Sequence, residues 1–222
     1  MKIAVDVMGT DYGPAEIIKG VLQAVKEYGC DAVLVGDEDV IKAELRREHE
    51  ENNPHVTIHH ASEVIEMKDH PGISVKKKRD ASIVVATDLL RQKECDALVS
   101  SGSTGAAVAS ALFGLGRIKG IERPAIATVI PSLTGATVLL DSGAKVDAKP
   151  EQLVQSAIMG SVYAESQLGI KNPRVSTREP PRLFVYIEQF LGKETRIWHF
   201  LWTPERCSWG AWVRRSRSFL LL

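Results

Sequence analysis

The sequence predicts an α/β fold, and three observations carry that prediction. Short β-branched, apolar runs alternate along the chain with longer segments whose apolar residues recur at helical spacing. Gly or Pro stands at many of the points where one period gives way to the other. The 222 residues, 44% hydrophobic and 25% charged, suffice for a sizeable core.

The elements follow in order. Lys2 to Val7 is a β-branched run closed by Gly9. Pro14 suits a first helical turn, and Ile17, Ile18, Val21, Leu22 and Val25 share one helical face as far as Gly29. Ala32 to Val35 is a second strand, Asp39 to Glu51 an exposed helix, and Val56 to His59 a third strand. Ser82 to Gln92 has a helical pattern, and Ala97 to Ser100 reads as a buried strand. A Gly/Ser-rich turn then enters a small-residue helix, Ala106 to Leu115. Ile126 to Ile130 and Thr137 to Leu140 flank a turn at Thr134-Gly135, and Glu151 to Gln167 is a helix stopped by Gly169. This alternation implies a three-layer α/β/α sandwich around a Rossmann-like, mostly parallel sheet with helices on both faces.

Composition narrows the functional classes. Twenty-eight basic and 28 acidic residues cancel, which removes the bulk electrostatic argument for nucleic acid binding. No apolar stretch reaches the roughly 18 residues of a membrane span, and Asp6 comes too early for a signal peptide. Cys30, Cys95 and Cys207 are spaced for neither a disulfide framework nor zinc, which favours a reducing cytoplasm. Cys95 reads as a packing residue, and the scattered histidines suggest no metal site.

In such folds ligands bind beyond the carboxyl ends of strands, and three segments there are unusually polar. Asp6 to Pro14 places Asp6, Gly9 and Asp11 at a strand-to-helix turn, where Asp11 as a helix cap competes with a ligand role. Ser100-Ser101-Gly102-Ser103-Thr104-Gly105 brings four hydroxyls to a helix start, an anion cradle in type but neither GxxxxGK[ST] nor GxGxxG. Asp141 to Asp147 sets Asp141 and Lys145 around Gly143. The run Lys76-Lys77-Lys78-Arg79 is either a solvated face or a surface for an anionic partner.

The stretches VDVMGTDYGP, PGISVKKKRDAS, DALVSSGSTGA, GIERPAIATVIPSLTG, LLDSGAKVDAKPEQLVQSAIMGSVYAES and NPRV, in order over residues 1–175, resemble the PlsX family, the phosphate acyltransferases of bacterial phospholipid synthesis. The resemblance implies transfer of an acyl group from acyl carrier protein to inorganic phosphate, giving acyl phosphate, with no metal or organic cofactor. It implies a cytoplasmic homodimer with peripheral membrane contact, feeding a glycerol-3-phosphate acyltransferase. Asp6, Lys77 and Asp141 are then the catalytic candidates, and Gly9, Asp11, Ser101, Ser103, Thr104, Gly105 and Lys145 the phosphate-binding or substrate-binding ones. Ser103 and Lys145 stand where the family commonly has Asn. A phosphate acetyltransferase-like enzyme using acyl-coenzyme A is the alternative.

The chain changes character near residue 175. Residues 1–174 hold 20 basic and 24 acidic groups, and residues 175–222 hold 8 and 4. Trp198, Trp202, Trp209 and Trp212 all fall in this last segment, which lacks Asp and clear periodicity. We therefore expect residues 1–175 to form a partial acyltransferase domain and 176–222 an atypical tail that reads like another translation frame, with a genuine tail that binds a partner through its tryptophans and arginines as the competing reading. An inactive, poorly stable chain is the matching expectation.

Overall fold

A computed structural model describes residues 1–10, 13–132, 135–140, 149–177, 185–188 and 218–220. The chain forms two compact units, Met1–Gly116 and Arg117–Leu222.

The first unit bears out the α/β prediction. Strands β1 (Lys2–Asp6), β2 (Asp31–Gly36), β3 (Val56–His60) and β4 (Ala97–Ser100) form a parallel sheet in the order β3-β2-β1-β4. Helices α1 (Pro14–Tyr28) and α2 (Glu38–Arg47) follow the first two strands. After β3 come α3 (Pro71–Lys77) and α4 (Ser82–Arg91), and after β4 comes α5 (Thr104–Gly114).

The pleat sorts the apolar runs onto two faces. Val5, Val7 and Leu34 pack with Ile18 of α1 and with Ile41 and Leu45 of α2. Their neighbours Ala4, Val33 and Val35 point the other way, onto Ala86 and Leu89 of α4. Cys95 joins this second core, and burial pushes its thiol pKa up, in keeping with a packing role.

The α2 segment is amphipathic rather than wholly exposed, since Ile41 and Leu45 are buried. Asp37 caps it by accepting from the N–H groups of Asp39 and Val40. The turn of helix from Pro71 to Lys77 was not expected: seven residues are too few to display a period.

One expectation is corrected. Ala97–Ser100 is not a buried strand: β4 has one hydrogen-bonded neighbour in its sheet, and Val99 stays 50% exposed. An apolar tetrapeptide looks alike in sequence at a sheet's centre and at its edge.

Helix α5 approaches α3 and α4 closely because its contact face is built of small residues. Ser110 Oγ lies 2.7 Å from Thr87 Oγ1, and both hydroxyls donate to the Ile83 carbonyl. At Gly105 a Cβ would stand 2.6 Å from Pro71 Cγ, so glycine lets the first turns of α3 and α5 adjoin.

The second unit is antiparallel. Its strands are β5 (Ile126–Ser132), β6 (Gly135–Leu140), β7 (Arg174–Thr177), β8 (Val185–Glu188) and β9 (Ser218–Leu220), in the order β7-β8-β6-β5-β9. Helix α6 (Pro150–Leu168) covers a core of Ala125, Ala127, Val138, Leu140, Ala164 and Ile170. The short link between β5 and β6 dictates a hairpin, because parallel neighbours need a long crossover. Strands β8 and β9 come from the Trp- and Arg-rich segment, where the sequence pattern suggested none.

Candidate active site

The strand order reverses at β1. The chain winds from β1 through β2 to β3, then returns to lay β4 on the other side of β1. In an open α/β sheet the carboxyl ends of the two strands flanking such a reversal bound a crevice. Those ends are Asp6 and Ser100, which are direct register partners.

The two side chains are bonded to each other. Ser100 Oγ donates to Asp6 Oδ2 at 2.7 Å, and the Met8 N–H donates to Asp6 Oδ1 at 3.2 Å. Ser82, at the start of α4, bonds the same carboxylate. Asp6 is only 3% exposed. Burial pushes its pKa above the ordinary 3.8, against the downward pull of the bonds from Ser82, Ser100 and Met8.

Ser100 passes the order on to the loop, since its Oγ accepts from the Gly102 N–H at 3.2 Å. Gly102 lies close against the same groups: a Cβ there would be in ordinary van der Waals contact with Ser100 Oγ at 3.4 Å and with both Asp6 Oδ2 and the Met8 carbonyl at 3.5 Å. Gly9 is held at φ +73°, where a Cβ would lie 3.2 Å from the Ile65 carbonyl. A narrow crevice too tight to admit a water molecule results, lined by Asp6, Met8, Ile65, Ser82, Ser100, Gly102 and Ser103.

Helix α5 opens on this crevice. Ser103 is its N-cap and accepts from the Ala106 N–H at 3.4 Å. The N–H groups of Ser103, Thr104 and Gly105 donate to no acceptor among the described residues. Ser101 and Thr104 are exposed beside them. First-turn donors and two exposed hydroxyls that have no partner among the described residues, with the positive end of the helix dipole, together suit a small oxyanion.

Of the residues singled out in the sequence, Asp6, Gly9, Ser101, Ser103, Thr104 and Gly105 thus belong to or border one neighbourhood. Asp11, Asp141 and Lys145 lie outside the described residues. Lys77 is on the exposed face of α3. Lys78 has a structural task, donating to the Val64 carbonyl at 2.7 Å and to Asp69 Oδ2 at 2.8 Å. Sequence reasoning passed over Ser82, whose only signal was its place at a helix start. Among the described residues, no group of His, Cys, Asp and Glu side chains is arranged to hold a metal ion, and no helix is long and apolar enough to cross a membrane.

A profile of the family described as "Fatty acid synthesis protein" matches residues 1–178. The chain belongs to that family. Its match takes in the whole first unit and the crevice between β1 and β4. Among curated proteins, this fatty acid synthesis family member is 57% identical over 175 residues to the phosphate acyltransferase of Pelotomaculum thermopropionicum, covering 79% of this chain and 51% of the relative. It is 56% identical over 175 residues to that of Desulfitobacterium hafniense, covering 79% and 52%. With the phosphate acyltransferase of Dictyoglomus turgidum the figures are 52% over 177 residues, covering 79% and 52%. The chain therefore spans about half the length of the curated relatives it matches.

Proposed function

We propose that the first turn of α5, at the mouth of the crevice between β1 and β4, binds inorganic phosphate, and that the protein transfers an acyl group to it from the thioester of acyl carrier protein. The observation that carries this reading is the first turn of α5. Three backbone donors without an acceptor among the described residues stand at the helix start that follows β4, at the sheet's topological switch, in a chain whose relatives are named phosphate acyltransferases.

The chemistry needs little from the protein beyond placement. A phosphate oxygen attacks the thioester carbonyl carbon, the C–O bond forms, the C–S bond breaks, and hydrogenphosphate's proton leaves with the carrier's sulfur. Phosphate is already a competent nucleophile, so holding it in line accounts for much of the rate. Fixed N–H and hydroxyl donors favour the charge that develops on the way. Asp6 acts here as a positioning residue: it orients Ser100, which orients Gly102, which sets the donors of the turn. Ser101, Ser103, Thr104 and Gly105 contact phosphate, while Gly9 keeps the opposite wall low. Asp141 remains proposed as a catalytic residue, and Asp11 and Lys145 as substrate contacts, from the motif match alone.

Thr104→Val tests this assignment. Thr104 is exposed at the first helical position, so the variant should melt like the wild type. Losing one hydrogen bond to a charged ligand should raise the phosphate concentration needed for half-maximal acyl phosphate formation about tenfold. The product is trapped with hydroxylamine, with the acyl group supplied on acyl carrier protein and on coenzyme A in parallel. An unchanged phosphate requirement rejects the assignment, and a preference for coenzyme A rejects the donor. The same assay on residues 1–222 decides between this reading and the inactive chain expected from the tail.

A further inference from the structure

The charged run beside the crevice separates into two parts. Lys78 is turned inward and neutralised by Asp69, and the nearby Lys68 pairs with Glu66 at 2.7 Å. Lys76 and Lys77 make no ion pair with any described residue. They share one face of α3 with Ile73, at the i, i+3, i+4 spacing that places side chains together. Lys76 Nζ sits 4.7 Å from the ring centroid of Phe113 on α5, which joins the two helices into one surface. Ile73 and Phe113 are 51% and 50% exposed, a large outlay of apolar area on a seven-residue and an eleven-residue helix.

We propose that Ile73, Lys76, Lys77 and Phe113 form the docking surface for the acidic carrier protein that delivers the acyl thioester, an inference resting on the acyl-transfer reading above. Two ammonium groups with no ion pair among the described residues complement an acidic partner and steer its approach. The half-exposed Ile and Phe supply the apolar centre that a specific interface needs. The placement suits a donor carried on a flexible arm. Pro71 and Gly105 bring the first turns of α3 and α5 together at the crevice, and Phe113 stands about 14 Å along α5 from Thr104 at 1.5 Å per residue. A carrier seated there reaches the phosphate with its arm rather than its body. An anionic lipid surface is the weaker occupant, because two half-exposed apolar side chains fall short of the apolar face of an interfacial helix. In this account Lys77 serves docking rather than the chemical step.

The test uses the 222-residue chain and an acyl carrier protein whose acyl group is held by a non-hydrolysable amide, with binding followed by fluorescence anisotropy at low and high salt. Lys76→Glu/Lys77→Glu should weaken binding at least tenfold at low salt and much less at high salt, since exposed charges are screened. Ile73→Ser/Phe113→Ser should weaken it at least tenfold at both. Lys26→Glu, an exposed charge on α1, should bind like the wild type. Face variants that bind like Lys26→Glu overturn the proposal, as does a wild-type chain that binds no carrier. Capture by phosphatidylglycerol vesicles through these four residues, without carrier binding, overturns it in favour of a membrane. Phosphate-induced shifts of the Ser103, Thr104 and Gly105 amides, recorded on the same variants, keep the two readings apart. If those shifts persist while carrier binding ignores the face, only the docking surface fails. If they never occur, the acyl-transfer reading fails as well.

Discussion

Asp6→Ala is expected to destabilise the protein by on the order of 3 kcal/mol, whereas Asp6→Asn should leave the fold nearly as stable as the wild type. The alanine strips the acceptor from the Ser100 hydroxyl, the Ser82 hydroxyl and the Met8 N–H in a place that is 3% exposed. Asparagine keeps an acceptor oxygen and sheds the charge that burial disfavours. The pH dependence has a definite sign. Because the folded pKa lies above the ordinary 3.8, the folded state holds its proton longer than the unfolded chain. The Asp6 contribution to stability is therefore fully present below pH 3.8 and is lost as pH rises through the raised folded value. Urea unfolding of wild type and Asp6→Asn, from acid to neutral pH, should show the asparagine variant gaining on the wild type over that interval. Parallel curves would remove the burial argument. The phosphate site should suffer in both variants, since neither holds Ser100 as a carboxylate does.

Leu34→Ala and Val99→Ala should differ widely although both residues sit in short apolar strand runs. Leu34 is fully buried among Ile18, Ile41 and Leu45, so its truncation opens a cavity between β2 and both covering helices. We expect a loss of about 3–4 kcal/mol, a large part of a domain's usual stability. Val99 is 50% exposed on β4, and its truncation should cost under about 1 kcal/mol. Denaturant midpoints decide this. Equal losses would mean that β4 is as enclosed as β2.

That contrast also marks what was legible in the sequence. The alternation of strand and helix, Pro14 at a helix start, Gly29 and Gly169 at helix ends, and the hydroxyl-rich turn before α5 all reflect local rules, so they could be read residue by residue. The edge position of β4 could not, because strand order depends on pairing far along the chain. Nor could the bond between Asp6 and Ser100, which are 94 residues apart and meet only because β4 returns to the side of β1. Lys78 looked like its neighbours in a basic run. Its inward turn depends on Asp69 and the Val64 carbonyl, partners that only the folded chain supplies.

Phosphate occupancy of the first turn of α5 is tested most directly by a phosphate titration followed by amide NMR on the 222-residue chain. Saturable shifts at Ser103, Thr104 and Gly105, absent with chloride at matched ionic strength and weakened in Asp6→Asn, are the result predicted. Shifts that match the chloride control, or that leave these three amides unmoved, would contradict it.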